Sequence, residues 1–127
     1  LYSRIERQLG EVPLDPKEVA RAAIEIASEK QAENIVMLDI RSVAAFADYF
    51  VIMSASTSRQ ISALQNDLEV RLEGVGASLH HKEGQSESGW VLLDFCDVII
   101  HIFDQDQREH YQLESLWSAA VQVVTVL

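Results

Sequence analysis

The chain has 127 residues, enough for one domain that buries roughly two-thirds of its unfolded surface and too few for two ordinary domains. Ten basic against twenty acidic residues give a net charge of −10, which opposes binding to a phosphate backbone and favours a basic protein as the partner. A hydrophobic content of 48% excludes a disordered chain, and the single Cys96 excludes an internal disulfide. No apolar run approaches the ~20 residues of a membrane span, and no signal peptide is indicated.

The first predicted helix begins after Asp15 and extends to about residue 31. Asp15 is an N-cap acid, Pro16 occupies the first helical position and Glu18 follows three residues after the cap. One face of this helix is apolar and is expected to pack on the core: Val19, Ala23, Ile26 and Ala27. We expect residues 1–14 to form an N-terminal extension and residues 15–127 to form a single domain.

Apolar runs bounded by turn residues predict five strands, at residues 35–40, 49–53, 77–81, 90–95 and 98–103. A second helix is expected at residues 58–73, with Gly74 as its stop and with a buried stripe of Ile61, Leu64, Leu68 and Leu72. Residues 41–48 form a loop or a short helical turn, and residues 82–89 are predicted to form an exposed loop. The pattern favours an α/β (α+β) fold with a mixed, about five-stranded sheet and helices packed on it.

Several residue patterns fit a catalytic or metal site, and each has a simpler explanation. Residues 54–58 fit a phosphate site at a helix N-terminus, but lack glycine and are better explained as a helix cap. Asp104 and Asp106 resemble a Mg²⁺ pair, although such pairs are common in an acidic chain. Two histidine groups fit zinc: His80 and His81 with Glu83, or His101 with His110. His101 lies between two isoleucines of a strand and is better explained as a core residue.

Acidic and aromatic residues alternate after the last predicted strand, which a buried core gives no reason to expect. Tyr and Trp are frequent interface anchors, because each buries a large area and keeps a polar tip. The sequence therefore indicates an acidic aromatic patch, with Tyr111, Glu114 and Trp90 as candidate contacts. An alternative explanation is that Leu113, Leu116 and Trp117 pack a helix onto the sheet, and that Arg108 pairs with neighbouring acids on the surface.

The sequence resembles the ribosomal silencing factor family, also called the Iojap family, from about residue 19 to residue 117. The matching segments in the first two-thirds of the chain are residues 48–52, 58–61, 83–84 and 90–95. The most specific match lies at the C-terminal end, where the following residues keep the family's order and spacing: Asp97, Val98, His101, Ile102, Phe103, Arg108, Tyr111, Leu113, Glu114, Leu116 and Trp117. Cys96 stands where relatives usually carry Gly, and Ala55 and Ser56 also replace a frequent Gly.

The resemblance implies a five-stranded mixed sheet of nucleotidyltransferase-like topology without the catalytic loop. It also implies a translation repressor, neither an enzyme nor a cofactor-binding protein. Such a repressor binds ribosomal protein number fourteen of the large subunit, sterically blocks joining with the small subunit, and damps translation when nutrients are short. The residues expected to contact the partner are Trp90, Phe103, Arg108, Glu109, Tyr111, Leu113, Glu114 and Trp117.

Two other hypotheses remain at this point. One is a Mg²⁺-dependent or degenerate nucleotidyltransferase that uses Asp94, Asp97, Asp104 or Asp106. The other is that the acidic aromatic patch mainly forms a homodimer, which an exposed hairpin edge would permit. The resemblance places the protein in a bacterial cytoplasm or in an organelle.

Overall fold

The computed structural model describes residues 14–116 and 120–126. In chain order the elements are α1 (Pro16–Glu29), β1 (Glu33–Asp39), β2 (Tyr49–Ser54), α2 (Ser58–Gly74), β3 (His81–Gln85), a 3-10 turn (Ser86–Ser88), β4 (Trp90–Asp94), β5 (Val98–Phe103), α3 (Gln105–Tyr111), α4 (Leu113–Leu116) and β6 (Val121–Val126). Residues 41–48 form a loop with turns and bends.

The strands form one sheet in the order β3-β4-β5-β2-β1-β6. β2 and β5 run parallel, and every other neighbouring pair is antiparallel. The predicted mixed α/β sheet is therefore confirmed. Among the described residues the sheet has one strand more than the about five expected, because β6 had not been assigned. The likeness to nucleotidyltransferase topology stays a prediction.

The third strand lies further along the chain than predicted. We expected a strand at residues 77–81 and a loop at residues 82–89, whereas β3 spans His81–Gln85 and a 3-10 turn follows it. β3 is an edge strand whose five residues are all exposed. It therefore carries no alternation of apolar and polar residues, which is the pattern that strand prediction depends on.

Both long helices pack on one face of the sheet, as their apolar stripes predict. Asp15 and Glu18 form a reciprocal capping box at the start of α1. The predicted stripe of α2 is fully buried: Ile61, Leu64, Leu68 and Leu72. These helices and the inward side chains of the strands form the larger hydrophobic core.

The opposite face carries a smaller core and no long helix among the described residues. Side chains of the strands form most of it, and Ala44, Ala47 and Leu113 pack against them. Trp90 and Leu92 lie at the β4 side of this core and are only partly buried. The aromatic residues of the predicted acidic aromatic patch lie on this face, which no long helix covers among the described residues.

Candidate partner-docking face

The β4–β5 hairpin and α3 meet at one corner of the second face. Trp90, the first residue of β4, is the cross-strand partner of Phe103, the last residue of β5. Asp104 follows at once and caps α3, because its Oδ1 accepts a hydrogen bond from the Gln107 amide at 2.8 Å. The Asp104 amide donates to the Gly89 carbonyl at 2.8 Å, which ties the start of α3 to the start of β4. These two hydrogen bonds thus fix the start of α3 beside Trp90.

Four rings form an aromatic cluster at this corner: Trp90, His101, Phe103 and Tyr111. The Trp90 ring lies 4.5 Å from that of Tyr111 and 5.1 Å from that of Phe103, measured between centroids. His101 stacks nearly parallel to Phe103, at 6.0 Å and 7°. These distances lie within the usual range for favourable aromatic pairs. Phe103 is fully buried, while 40% of Tyr111 is exposed, so the cluster runs from the core to the surface.

His101 fixes the orientation of the Trp90 indole. The Trp90 Nε1–H donates to His101 Nδ1 at 3.2 Å. His101 is 4% exposed, and burial lowers its pKa from 6.5 to about 4, which keeps the ring neutral. With Nδ1 acting as the acceptor, the proton resides on Nε2, and that buried atom has no hydrogen-bond partner among the described residues. The prediction that His101 is a core residue is confirmed.

Arg108 is the centre of a network that joins α3 and α4 to the sheet. Its Nε and Nη2 donate to Glu114 Oε2 at 3.0 and 2.8 Å. Its Nη1 donates to Ser54 Oγ and its Nη2 donates to the Asn34 carbonyl, both at 2.8 Å. The Arg108 side chain is only 11% exposed. Arg108 therefore pairs with a neighbouring acid as expected, but in a mostly buried position rather than on the surface. The partner contact expected of Arg108 stays a prediction.

Apart from Arg108, the residues predicted to contact the partner fall into three groups. Those that reach the surface form what we call the docking face: Trp90, Glu109, Tyr111 and Glu114. Phe103 and Leu113 are buried at 0% and 9% exposure, so the direct contact predicted for them is corrected to support from beneath. Trp117 lies outside the described residues. Glu114 has two roles, because the same carboxylate that reaches solvent holds Arg108.

A groove of about 310 Å³, which no sequence pattern had indicated, opens between β3, β4 and α3. Its apolar wall consists of Trp90, Leu92 and Tyr111, and its polar wall includes Glu83, Ser88 and Gln107. Glu83 is the cross-strand partner of Leu92, which places both side chains on one face of the sheet. Leu92 follows Trp90 by two residues, so the alternation of side chains along a strand could have indicated that both line the same groove.

Several of the residues considered for catalysis or metal binding make structural hydrogen bonds. Thr57 Oγ1 accepts from the Gln60 amide, which confirms residues 54–58 as a helix cap. Asp104 caps α3, and Asp94 Oδ1 accepts from the Cys96 amide at 2.7 Å in the β4–β5 turn. Within residues 14–116 and 120–126, no group of three or more His, Cys, Asp or Glu side chains is arranged to hold a metal ion. In the same part of the chain, no helix is long and apolar enough to cross a membrane.

Solved structures share this fold. A crystal structure of a Chromobacterium violaceum protein superposes with a TM-score of 0.79 at 25% identity, covering 90% of this chain and 94% of that one. A Bacillus halodurans structure gives 0.73 at 30% identity, covering 84% and 99%. The chain therefore has the mixed α/β architecture of these bacterial proteins.

Sequence comparison identifies the family. The family described as "Ribosomal silencing factor during starvation" matches residues 13–126. The chain is 33% identical to ribosomal silencing factor RsfS of Bacillus subtilis over 107 residues, which cover 84% of this chain and 91% of the relative. It is 31% identical to the chloroplastic protein Iojap of Zea mays over 100 residues, covering 76% of this chain and 42% of the relative. The chain belongs to the ribosomal silencing factor family, as its motifs indicated.

Proposed function

We propose that this protein binds the large ribosomal subunit through ribosomal protein number fourteen and sterically prevents the small subunit from joining. In this proposal the protein is a non-enzymatic repressor of translation during starvation, in a bacterial cytoplasm or an organelle. Its membership of the family supports a role at the ribosome. The single observation that carries the proposed contact is the pairing of the exposed Tyr111 with Trp90, whose ring centroids lie 4.5 Å apart.

The docking face suits a basic partner for two physical reasons. Trp90 and Tyr111 form a preordered apolar surface, so little side-chain entropy is lost when a partner covers them. Glu109 of α3 and Glu114 of α4 add negative charge to the two helices that follow β5, and the net charge of −10 attracts a basic protein over distance. A ribosomal protein with a positive surface fits both requirements.

Cosedimentation with purified large subunits tests the docking face. Tyr111→Ala and Glu109→Lys each change an exposed side chain of α3, so we expect both to lose most of the binding while keeping the thermal transition of the parent. Val70→Ala and Glu73→Lys are the matched controls, because both positions are exposed on α2, which packs on the opposite face of the sheet. Undiminished binding by the folded Tyr111→Ala and Glu109→Lys variants removes this face from the proposal.

Glu114→Lys is a poor variant for the same experiment. Glu114 accepts two of the hydrogen bonds that Arg108 donates, so lysine there would place two cations together inside a mostly buried network. A loss of binding would then report a loosened α3 and α4 as well as a changed surface. Substitutions at Tyr111 and Glu109 avoid this ambiguity.

A further inference from the structure

The groove beside the docking face combines aromatic rings with one carboxylate. Trp90, Tyr111 and Leu92 supply its apolar wall, and Ser88 and Gln107 supply neutral polar groups. Among the described residues that line it, Glu83 is the one that carries a charge. The Glu83 side chain is 67% exposed and lies 3.4 Å from His81 Nε2, so its carboxylate remains accessible from solvent.

We propose that this groove takes one arginine or lysine side chain of the basic partner. The inference rests on the proposed docking function and adds a specific contact to it. A cation placed over the face of Trp or Tyr is attracted by the negative face of the ring. A guanidinium in the same groove also reaches a carboxylate, with which it forms charge-assisted hydrogen bonds. Trp90, Tyr111 and Glu83 supply these two kinds of contact within one site.

Other occupants fit the groove less well. An anionic group would approach Glu83 against the charge of that carboxylate and against the net charge of −10. A purely apolar side chain would displace water from the Glu83 carboxylate without donating a hydrogen bond to it, which costs desolvation energy. The volume of about 310 Å³ lies at the lower end of small-ligand sites, ~300–1,000 Å³, which suits one long side chain rather than a folded segment.

Hydrogen bonding between Trp90 and His101 makes the groove a preformed site. The His101 Nδ1 acceptor holds the indole at one edge, and the rings of Phe103 and Tyr111 pack against it. A partner cation therefore meets aromatic rings that are already in place, and the ordering cost of binding is low.

The test is an NMR titration of the full chain with two short peptides. The probe is N-acetyl-Gly-Arg-Gly-amide, and its matched control contains neutral citrulline instead of arginine. The Trp90 indole N–H signal, assigned by its loss in Trp90→Phe, reports on the groove. We expect a saturable shift with the arginine peptide in the millimolar range and a response at least about threefold weaker with the citrulline peptide.

Two variants separate the carboxylate of the groove from the general charge of the chain. Glu83→Gln should weaken the arginine response about threefold and leave the citrulline response unchanged. Glu87→Gln is the control, since Glu87 is an exposed acid of the neighbouring 3-10 turn and does not line the groove. Equal responses to the two peptides, or an unchanged arginine response in Glu83→Gln, overturn the proposal. A Trp90 shift that depends on protein concentration alone also overturns it, because a second copy of the chain would then be the occupant.

The titration and the cosedimentation can fail independently. If the parent chain sediments with large subunits but shows no arginine preference, the groove assignment falls and the proposed function stands. If the peptide binds as expected but the chain does not sediment with large subunits, the proposed function falls and the cation site remains.

Discussion

Replacing Arg108 with methionine removes a guanidinium that joins three separate parts of the chain. Its hydrogen bonds reach Glu114 in α4, Ser54 at the end of β2 and the Asn34 carbonyl in β1, at 2.8 to 3.0 Å. The side chain is 11% exposed, so water replaces few of these bonds after the substitution. Hydrogen bonds to a charged group contribute about 1.5–3 kcal/mol each and are not additive. We expect Arg108→Met to lower the free energy of unfolding by about 2–4 kcal/mol.

Urea and thermal denaturation followed by circular dichroism measure this effect. For a domain of this size the expected loss lowers the melting temperature by roughly 10 °C. Arg71→Met is the matched control, because Arg71 also contacts two carboxylates, Glu29 at 2.6 Å and Asp67 at 3.3 Å, but is 43% exposed. Exposed ion pairs contribute little, so the control should remain close to the parent. The reasoning is refuted if Arg108→Met loses no more stability than Arg71→Met.

Three further predictions concern His101 and the backbone at Cys96 and Gly84. Because the pKa of His101 falls from 6.5 to about 4 on folding, only the unfolded chain gains the proton between these values. The free energy of unfolding therefore decreases as the pH falls from about 6.5 to about 4. The part of this decrease that His101 causes is about 3 kcal/mol, and it should be absent in His101→Gln. Cys96 is exposed and has a φ of 73°, so Cys96→Gly should raise the free energy of unfolding by about 0.5–1 kcal/mol. Gly84→Ala should be strongly destabilising, since a Cβ there would lie 2.1 Å from the Trp90 carbonyl oxygen, whereas Gly74→Ala meets nothing within 4 Å and should stabilise α2.

Chemical denaturation checks these predictions, at several pH values for the His101 pair and at pH 7 for the others. The parent and His101→Gln should differ in pH dependence as well as in absolute stability; parallel curves would contradict the account of the buried imidazole. A loss of stability in Cys96→Gly would contradict the strain argument. Equal effects of alanine at positions 84 and 74 would contradict the close approach of β3 and β4.

Sequence periodicity predicted the elements that bury an apolar face. The buried stripe of α2 and the N-terminal cap of α1 each depend on residues only a few positions apart in the sequence, so both were predicted correctly. β3 was misplaced because an exposed edge strand has no apolar alternation to follow. β6 was missed, although its residues 121–126 form a β-branched run of strand length that could have indicated it.

The aromatic residues of the site could be predicted, but their burial could not. The family resemblance placed Trp90, Phe103 and Tyr111 among the expected contact residues, and the ring distances show that these three side chains lie together. Which ring reaches solvent depends on how α3 crosses the end of β5, and local sequence does not encode that crossing. Arg108 shows the same limit, because its partners Ser54 and Asn34 lie 54 and 74 positions away in the chain.

Subunit joining in the presence of this protein is the most direct test of the proposed function. Purified large and small subunits are mixed with the parent chain or with Tyr111→Ala, and the joined ribosome is quantified by sedimentation. The proposal predicts that the parent travels with the large subunit and depletes the joined peak in proportion to its occupancy, and that Tyr111→Ala restores that peak. A joined peak that stays intact while the parent chain is bound to the large subunit would contradict the steric block.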